Sequence, residues 1–185
     1  MTDTLTYAEF GAAFVPMAVS DERVRAAVAE VAGDVIEVGP LPAGPGGVAG
    51  ARAKGRVRDV VVAADRSAEP LRFSVTLAVD LTLQVDLAGA GHRYAADVSV
   101  RIALTVWARQ PLGLFIDAEP IDAGDVTCRV RADGVRAKVL QRLGRLDDEL
   151  RAQVARVVNE RLASDAGRAA REIDLVPLIE RAWPG

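Results

Sequence analysis

The sequence has very little of the chemistry on which most enzymes and metal sites depend. It contains a single cysteine, Cys128, and a single histidine, His92. One cysteine excludes an internal disulfide, and one histidine with no second cysteine or histidine beside it argues against a zinc site. A lone histidine also offers little general-base capacity near neutral pH. Because neither a Gly-x-Ser-x-Gly nor a His-x-x-x-His motif is present, we expect no enzymatic activity, no bound metal and no cofactor.

Aromatic residues and long apolar runs are also scarce. Aromatic side chains make up 4% of the chain, although 50% of its residues are hydrophobic, so we predict an aliphatic core. No run approaches the roughly 18 apolar residues of a transmembrane helix. The first residues show neither the basic nor the apolar region of a signal peptide, which predicts a cytoplasmic protein. The 23 Lys and Arg residues nearly balance the 26 Asp and Glu residues, so nucleic acid is not an expected partner.

Two long stretches of the sequence alternate apolar and polar residues with the period of a β-strand. From residue 71 to residue 87 every second residue is apolar, and a second such run covers 98–106. The glycine-containing segment 88–93 between them predicts the turn of a long antiparallel hairpin. Among the registers that keep all apolar side chains on one face, we prefer the one that places Asp80 opposite Arg101 and Arg72 opposite Arg109.

Helical patterns flank the predicted sheet. Thr6 and Ser20 have the spacing of N-caps and predict two N-terminal helices. The second of these helices has an apolar stripe formed by Val24, Ala27, Val28 and Val31. A long amphipathic helix is predicted over 135–162. Since strands of such length twist and coil, we predict one α+β domain over 1–185. In it, a long, highly curved antiparallel β-sheet wraps around a long C-terminal α-helix, with two N-terminal helices.

The segment 39–50, GPLPAGPGGVAG, is rich in glycine and proline. It lacks the Gly-Lys-Ser/Thr of a phosphate-binding loop and precedes a predicted strand rather than a helix, so we interpret it as a flexible linker. The predicted strand covers 51–64. Val60 and Val62 break its alternation, which predicts a bulge near Asp59.

Two further features invite a catalytic interpretation and are more simply explained by structure. Asp147, Asp148 and Glu149 lie off the apolar stripe of the long helix, and we interpret them as a solvated face rather than as paired catalytic carboxylates. Cys128 lies on the apolar face of a predicted short strand. That position predicts a buried core thiol rather than a nucleophile.

The predicted sheet and long helix would face each other with aliphatic walls. We predict that the ligand-binding residues are Leu77, Val79, Leu81, Leu83, Val100, Ile102, Leu104, Val106, Leu143, Leu146, Leu150 and Val154. Their side chains either interdigitate and fill the centre or leave a slot for an apolar chain, and the length of the strands favours the slot. An anionic head group between Arg72 and Arg109 is one interpretation of that pair, and a solvated pair is the one that we favour.

The order of these segments resembles the tubular lipid-binding (TULIP) superfamily. Long strands are followed by PLGLFID at 111–117, DVTCRVRADG at 125–134, and a long amphipathic helix that reaches VNERL at 158–162. The resemblance covers about residues 20–165 and rests on pattern rather than on an invariant motif. It implies a curved sheet around a long helix, with acyl chains bound between them, as in bactericidal/permeability-increasing-like proteins and synaptotagmin-like mitochondrial lipid-binding domains. Many members are secreted or membrane-tethered, and this sequence shows neither signal.

The expected function is therefore binding or carriage of an apolar, acyl-chain or lipid-like ligand in a groove between sheet and helix, without chemistry. One alternative is a helix-grip (START-like) protein, a group that includes cyclase enzymes but begins with a strand. Another alternative is a scaffold with a filled core. The expected partner is an apolar small molecule or lipid, and a homodimer is left open.

Overall fold

The computed structural model describes residues 4–33, 35–43, 49–87, 90–131 and 137–182. Side chains are described within these ranges except at 41–43, 49–50, 86–87, 90, 92 and 137–146. The helices are α1 (Tyr7–Ala18), α2 (Asp21–Ala32), α3 (Ala137–Ala163), α4 (Asp165–Ala169) and α5 (Val176–Ala182). The strands are β1 (Ile36–Ala43), β2 (Ala49–Asp65), β3 (Arg72–Leu87), β4 (Ala90–Arg109), β5 (Gly113–Ala118), β6 (Val126–Arg131) and β7 (Glu172–Asp174).

Within the described residues, the strands form one seven-stranded antiparallel sheet that is strongly curled into a half-barrel. The strand order is β1-β2-β3-β4-β5-β7, and β6 also pairs with β4. The same edge of β4 pairs with two strands: residues 95–100 pair with β6, and residues 104–109 pair with β5. This sheet confirms the predicted α+β class and the predicted curved antiparallel sheet.

The predicted long hairpin is confirmed as β3 and β4, but its predicted register is wrong. Asp80 lies opposite Asp97, not Arg101, and Arg72 lies opposite Thr105, not Arg109. Leu87 pairs with Ala90, so β4 already begins within the segment 88–93 that was predicted as the turn. The apolar face is still preserved, because the register differs from the predicted one by an even number of residues.

The β2 strand explains why two carboxylates can face each other across the hairpin. It carries the predicted bulge between Val57 and Asp59, so Arg58 is the extra residue. The Arg58 guanidinium lies 3.3 Å from the Asp80 carboxylate and 4.0 Å from that of Asp97, which Arg131 also contacts at 2.6 Å. These ion pairs are partly exposed and individually weak, but together they offset the repulsion between Asp80 and Asp97.

The long helix α3 is not wrapped by the sheet, contrary to the prediction. It contacts β1 at one edge of the sheet and β6 on the far side of β4. Because a curled sheet brings its edges toward each other, α3 lies across the opening between them. It is also not the C-terminal element, since α4, β7 and α5 follow it. In the part of the chain that the structure describes, no helix is long and apolar enough to cross a membrane.

The N-terminal helices begin at capped residues. The Thr6 hydroxyl accepts a hydrogen bond from the backbone N–H of Glu9, and the Glu9 carboxylate accepts one from the backbone N–H of Thr6. The hydrogen bonds that the Glu9 carboxylate accepts from the Thr6 backbone N–H and hydroxyl hold the pKa of Glu9 below its usual value. The Ser20 hydroxyl caps α2 by accepting a hydrogen bond from the backbone N–H of Arg23. The α1 helix buries none of its residues, whereas α2 packs on β2 and also contacts α3.

Much of the glycine-rich segment is strand rather than linker. Residues 39–43 belong to β1 and residues 49–50 belong to β2, while 44–48 lie outside the described residues. The predicted loop over 39–50 is therefore wrong for both strand portions. Backbone groups of the two strands pair with each other across a register shift between Val38 and Leu41. Hydrogen bonding between backbone groups does not depend on large side chains. The prediction of strands from alternating apolar and polar residues does depend on them, so it missed these portions.

Candidate functional site

The predicted wall on β3 and β4 points into the molecule. All of its members on these strands are buried, namely Leu77, Val79, Leu81, Leu83, Val100, Ile102, Leu104 and Val106. On α3, Leu150 and Val154 are buried as well. Leu143 and Leu146 belong to the same helix, but their side chains lie outside the described part of the structure. Polar neighbours such as Asp80, Thr82 and Arg101 face outward, as the alternation predicted.

The interior near the hairpin connection is closely packed. We call this part, formed by residues 79–85 of β3 and 94–98 of β4 with their neighbours on β2 and β6, the filled half. Leu83 has no exposed surface, and Leu81 is 3% exposed. Gly55 of β2 lies opposite Leu81, and a Cβ atom at Gly55 would come within 2.4 Å of the Leu81 side chain. Only glycine therefore lets Leu81 pack this close to β2.

The other half of the interior contains an apolar cavity of about 60 Å³. It lies between α2, the C-terminal part of α3, α4 and the sheet, and we call this part the open half. The cavity is lined by Val24, Ala27, Val28, Val31, Ala32, Ile36, Leu77, Ile102, Leu104, Ile116, Val157, Val158, Arg161, Leu162, Gly167, Ala170 and Arg171. The small side chains of this lining leave the space, because alanine and glycine cannot reach the opposite wall.

Only part of the predicted ligand-binding set lines this cavity. Leu77, Ile102 and Leu104 do so, whereas the other predicted residues with described side chains do not. The cavity residues that were not predicted come chiefly from α2 and from the last turns of α3. The apolar stripe of α2 was visible in the sequence as a helical periodicity. That pattern does not reveal which surface the stripe covers, so the site was missed.

Two arginines stand out in this otherwise aliphatic lining. The Arg161 guanidinium donates hydrogen bonds to the backbone carbonyls of Ala32 and Val35, the latter at 2.7 Å. The Arg171 guanidinium donates to the carbonyls of Gly167 and Leu162, each at 3.2 Å. Among the residues that the structure describes, neither guanidinium forms an ion pair with a carboxylate. The aliphatic parts of the two side chains therefore line the cavity, whose surface is almost wholly apolar, while backbone carbonyls hold their guanidiniums.

The predicted juxtaposition of Arg72 and Arg109 does not exist. Arg72 pairs with Thr105 in β4, and Arg109 lies four residues further along that strand, at its last residue. The Arg109 guanidinium instead packs 3.8 Å from the centre of the Phe115 ring and 3.9 Å from the Glu172 carboxylate. A head group between Arg72 and Arg109 is thereby excluded, and so is a solvated pair at one ribbon end.

Asp147 is less exposed than predicted, whereas its neighbour Asp148 is exposed. The Asp147 side chain is 23% exposed and forms an ion pair with Arg151. Burial raises the pKa of Cys128 to about 12, and the negative charge of the nearby Asp147 carboxylate adds to this effect. Cys128 is therefore a buried core thiol, as predicted, and it stays protonated at neutral pH. A thiol in this state is not a nucleophile.

The described residues contain no group of three or more His, Cys, Asp or Glu side chains that could hold a metal ion. Comparison of the chain with protein-family models and with curated proteins finds no match to either. The resemblance to the tubular lipid-binding superfamily therefore stays a prediction. What the site can do has to be argued from its geometry.

Proposed function

We propose that this protein binds an apolar ligand, such as an acyl chain, in the open half of its interior, without chemistry on it. The observation that carries the proposal is the aliphatic cavity between α2, α3 and the sheet. Concave apolar sites with a few convergent polar groups are typical of small-molecule binding. Kinship with the tubular lipid-binding superfamily is part of this proposal, since that group also holds acyl chains between a curved sheet and helices.

The volume of the cavity limits what it can hold without rearrangement. A cavity needs about 10–15 Å³ to hold one water, and an apolar cavity of about 150 Å³ holds benzene. The volume of about 60 Å³ lies between these values. It therefore admits the end of an aliphatic chain, and a longer chain requires α2 to move outward.

The attachment of α2 is compatible with such a movement. Two polar contacts join it to β2 and to the turn that follows, and a hydrogen bond from Arg161 joins its last residue, Ala32, to α3. Arg25 donates to the Val60 carbonyl at 3.1 Å, and Asp21 forms an exposed ion pair with Arg66 at 3.0 Å. An exposed ion pair contributes no more than about 1 kcal/mol. Helices with few buried side chains and exposed polar contacts open locally at low free-energy cost.

The lining of the cavity gives no reason to propose a reaction there. Apart from Arg161 and Arg171, the residues that line it are aliphatic or glycine. Arginine stays protonated in proteins and serves as neither base nor nucleophile. Cys128 lies on β6, opposite Val98 in the filled half, and does not line the cavity.

A second candidate function is a scaffold with a filled interior. The close packing of Leu81 against Gly55 favours it, as does the small volume of the cavity. In that case the remaining space is a packing defect rather than a binding site. The two candidates differ in whether the protein takes up an apolar probe.

The experiment is a titration with cis-parinaric acid, whose fluorescence rises in apolar surroundings. We expect binding at micromolar concentration by the wild-type protein. Ala27→Leu fills the cavity from α2 and should weaken binding about tenfold or more. Ala26→Leu makes the same change at an exposed position of the same helix and serves as the control. If the wild type takes up no probe, the binding proposal is wrong and the scaffold is the better account.

A further inference from the structure

We infer that the exposed face of α1 is an interface between two copies of this chain. Aromatic side chains make up only 4% of the sequence, yet Tyr7, Phe10 and Phe14 all belong to this one helix. A fourth, Trp107, lies across a groove from it. The α1 helix buries none of its residues. Because this surface lies outside the cavity, the interface is independent of the proposed function and goes beyond it.

The large apolar residues of α1 follow the spacing of a helix–helix contact. Tyr7, Phe10, Phe14 and Met17 are separated by steps of three, four and three residues, which is the a/d pattern of paired helices. Residues at this spacing lie on one side of a helix. Phe10 and Phe14 also stack on each other, with ring centres 5.8 Å apart. These four residues therefore form one continuous stripe, which we call the α1 seam.

The seam faces away from the rest of the molecule. Tyr7 is 98% exposed, Met17 is 76% exposed and Phe10 is 57% exposed. A different side of α1, with Gly11 and Val15, lines the groove against Trp107 and the turn that follows β2. A helix of 12 residues is marginally stable in water unless an apolar face packs on another surface. The exposed seam is therefore the face at which α1 would gain most from a partner.

The chemistry around the seam favours another protein helix over a bilayer. Helices that lie in a membrane interface carry Lys and Arg on their polar side. The α1 helix contains neither, and its one charged residue, Glu9, accepts hydrogen bonds from Thr6 in the cap. Aromatic residues and Met, with few charges, are instead typical of the buried centre of a protein–protein interface.

A second copy is the partner that fits the area of this surface. A two-fold axis lets one patch pair with itself, and it is the commonest symmetry of oligomers. Since an aromatic side chain buries about 150–250 Å², the exposed parts of Leu5, Tyr7, Phe10, Met17 and Trp107 amount to roughly 600 Å². Two copies would together bury roughly 1,200 Å², the lower limit of specific interfaces. We therefore expect a weak dimer with a dissociation constant on the order of micromolar.

An antiparallel arrangement of the two helices fits the seam best. It places helix ends of opposite partial charge next to each other and keeps the two Glu9 carboxylates apart. In this arrangement Tyr7 faces Met17 of the partner subunit, and Phe10 faces Phe14 of the partner subunit. Each copy then supplies one half of every contact.

The test is sedimentation equilibrium of the whole chain between about 1 and 100 μM. We expect the wild type to dimerise over this range and Phe10→Lys to weaken the dimer about tenfold or more. Leu178→Lys makes the same kind of change at a 50% exposed position on α5 and should leave the dimer unchanged. Circular dichroism should verify that both variants are folded. A wild type that stays monomeric at 100 μM would overturn the interface.

A mixing experiment tests the arrangement itself. Tyr7→Lys and Met17→Glu should each weaken the dimer, and an equal mixture of the two should associate about tenfold more tightly than either alone, because the new charges face each other. A mixture that associates no better than its components would overturn the antiparallel pairing. Binding of a monomeric wild type to phosphatidylcholine vesicles, lost in Phe10→Lys, would assign the seam to a bilayer instead. None of these outcomes bears on the uptake of cis-parinaric acid, which tests the proposed function separately.

Discussion

The filled and open halves share the same two strands but differ in what covers them. In the filled half, inward residues of β3 lie beside small residues of β2 in the same sheet, and Leu83 has no exposed surface. In the open half, α2 and α4 cover the sheet and present Ala27, Gly167 and Ala170 to the interior. The alternation of the strands is equally regular in both halves. The space in the open half therefore comes from the covering helices, not from the sheet.

The two halves also differ in the partners of their partly exposed charged side chains. In the filled half, Asp147 is paired with Arg151 beside the Cys128 thiol. In the open half, Arg161 and Arg171 have carbonyl partners but no carboxylate among the described residues. Three predictions test this contrast.

The largest effect is expected from a charge placed inside the filled half. Leu81→Asp buries a carboxylate without a partner, so the free energy of unfolding should fall by more than about 4 kcal/mol. Thr82→Asp introduces the same group one residue later, on the exposed face opposite Lys54, and should change it by less than about 0.5 kcal/mol. Urea unfolding measures both. Similar losses for the two variants would mean that the faces of β3 are misassigned.

A smaller effect is expected when the same substitution is made in each half. Ala53 lies opposite Leu83 and is 3% exposed, so Ala53→Leu should overpack the filled half and cost about 1–3 kcal/mol. Ala27→Leu enters the cavity of the open half and should leave stability unchanged or raise it by up to about 1 kcal/mol. Thermal and urea unfolding of the pair give the comparison. If Ala27→Leu costs as much as Ala53→Leu, the open half has no usable space.

The smallest effect concerns the thiol of the filled half. With its pKa raised to about 12 from an ordinary value of 9.0, Cys128 should react with a thiol reagent at pH 8 about a thousandfold more slowly than in the unfolded chain. Its folded pKa lies above its unfolded pKa, so its contribution to stability is complete below pH 9 and is lost as the pH rises toward 12. Reaction rates with and without urea provide the measurement. Equal rates would show that the filled half opens freely.

How much of this structure can be predicted from the sequence depends on how far apart along the chain the interacting residues lie. The inward faces of β3 and β4 follow from alternation alone, because a shift of one residue would turn every apolar side chain of a strand toward solvent. Their register does not follow from the two strands, since the Arg58 guanidinium that lies between Asp80 and Asp97 comes from a bulge on β2. The predicted pairing of Asp80 with Arg101 fails for that reason.

The candidate site shows the same limit more strongly. Leu77, Ile102 and Leu104 were predicted as inward residues and do line the cavity. Arg161 and Arg171 were not predicted, because an arginine near the end of a helix is usually solvated or paired. Only their approach to one cavity, through the contact of α4 with the end of α3, sets them apart.

The sequence by itself determined the elements whose residues interact with neighbours along the chain. These are the caps of α1 and α2, the inward face of the hairpin, the bulge in β2 and the buried state of Cys128. The tertiary structure alone decided the register, the position of α3 across the opening of the sheet, and the location of the cavity. The physical reason is that local periodicity specifies which face of an element is apolar, whereas packing between distant elements decides which faces meet and how much space they leave.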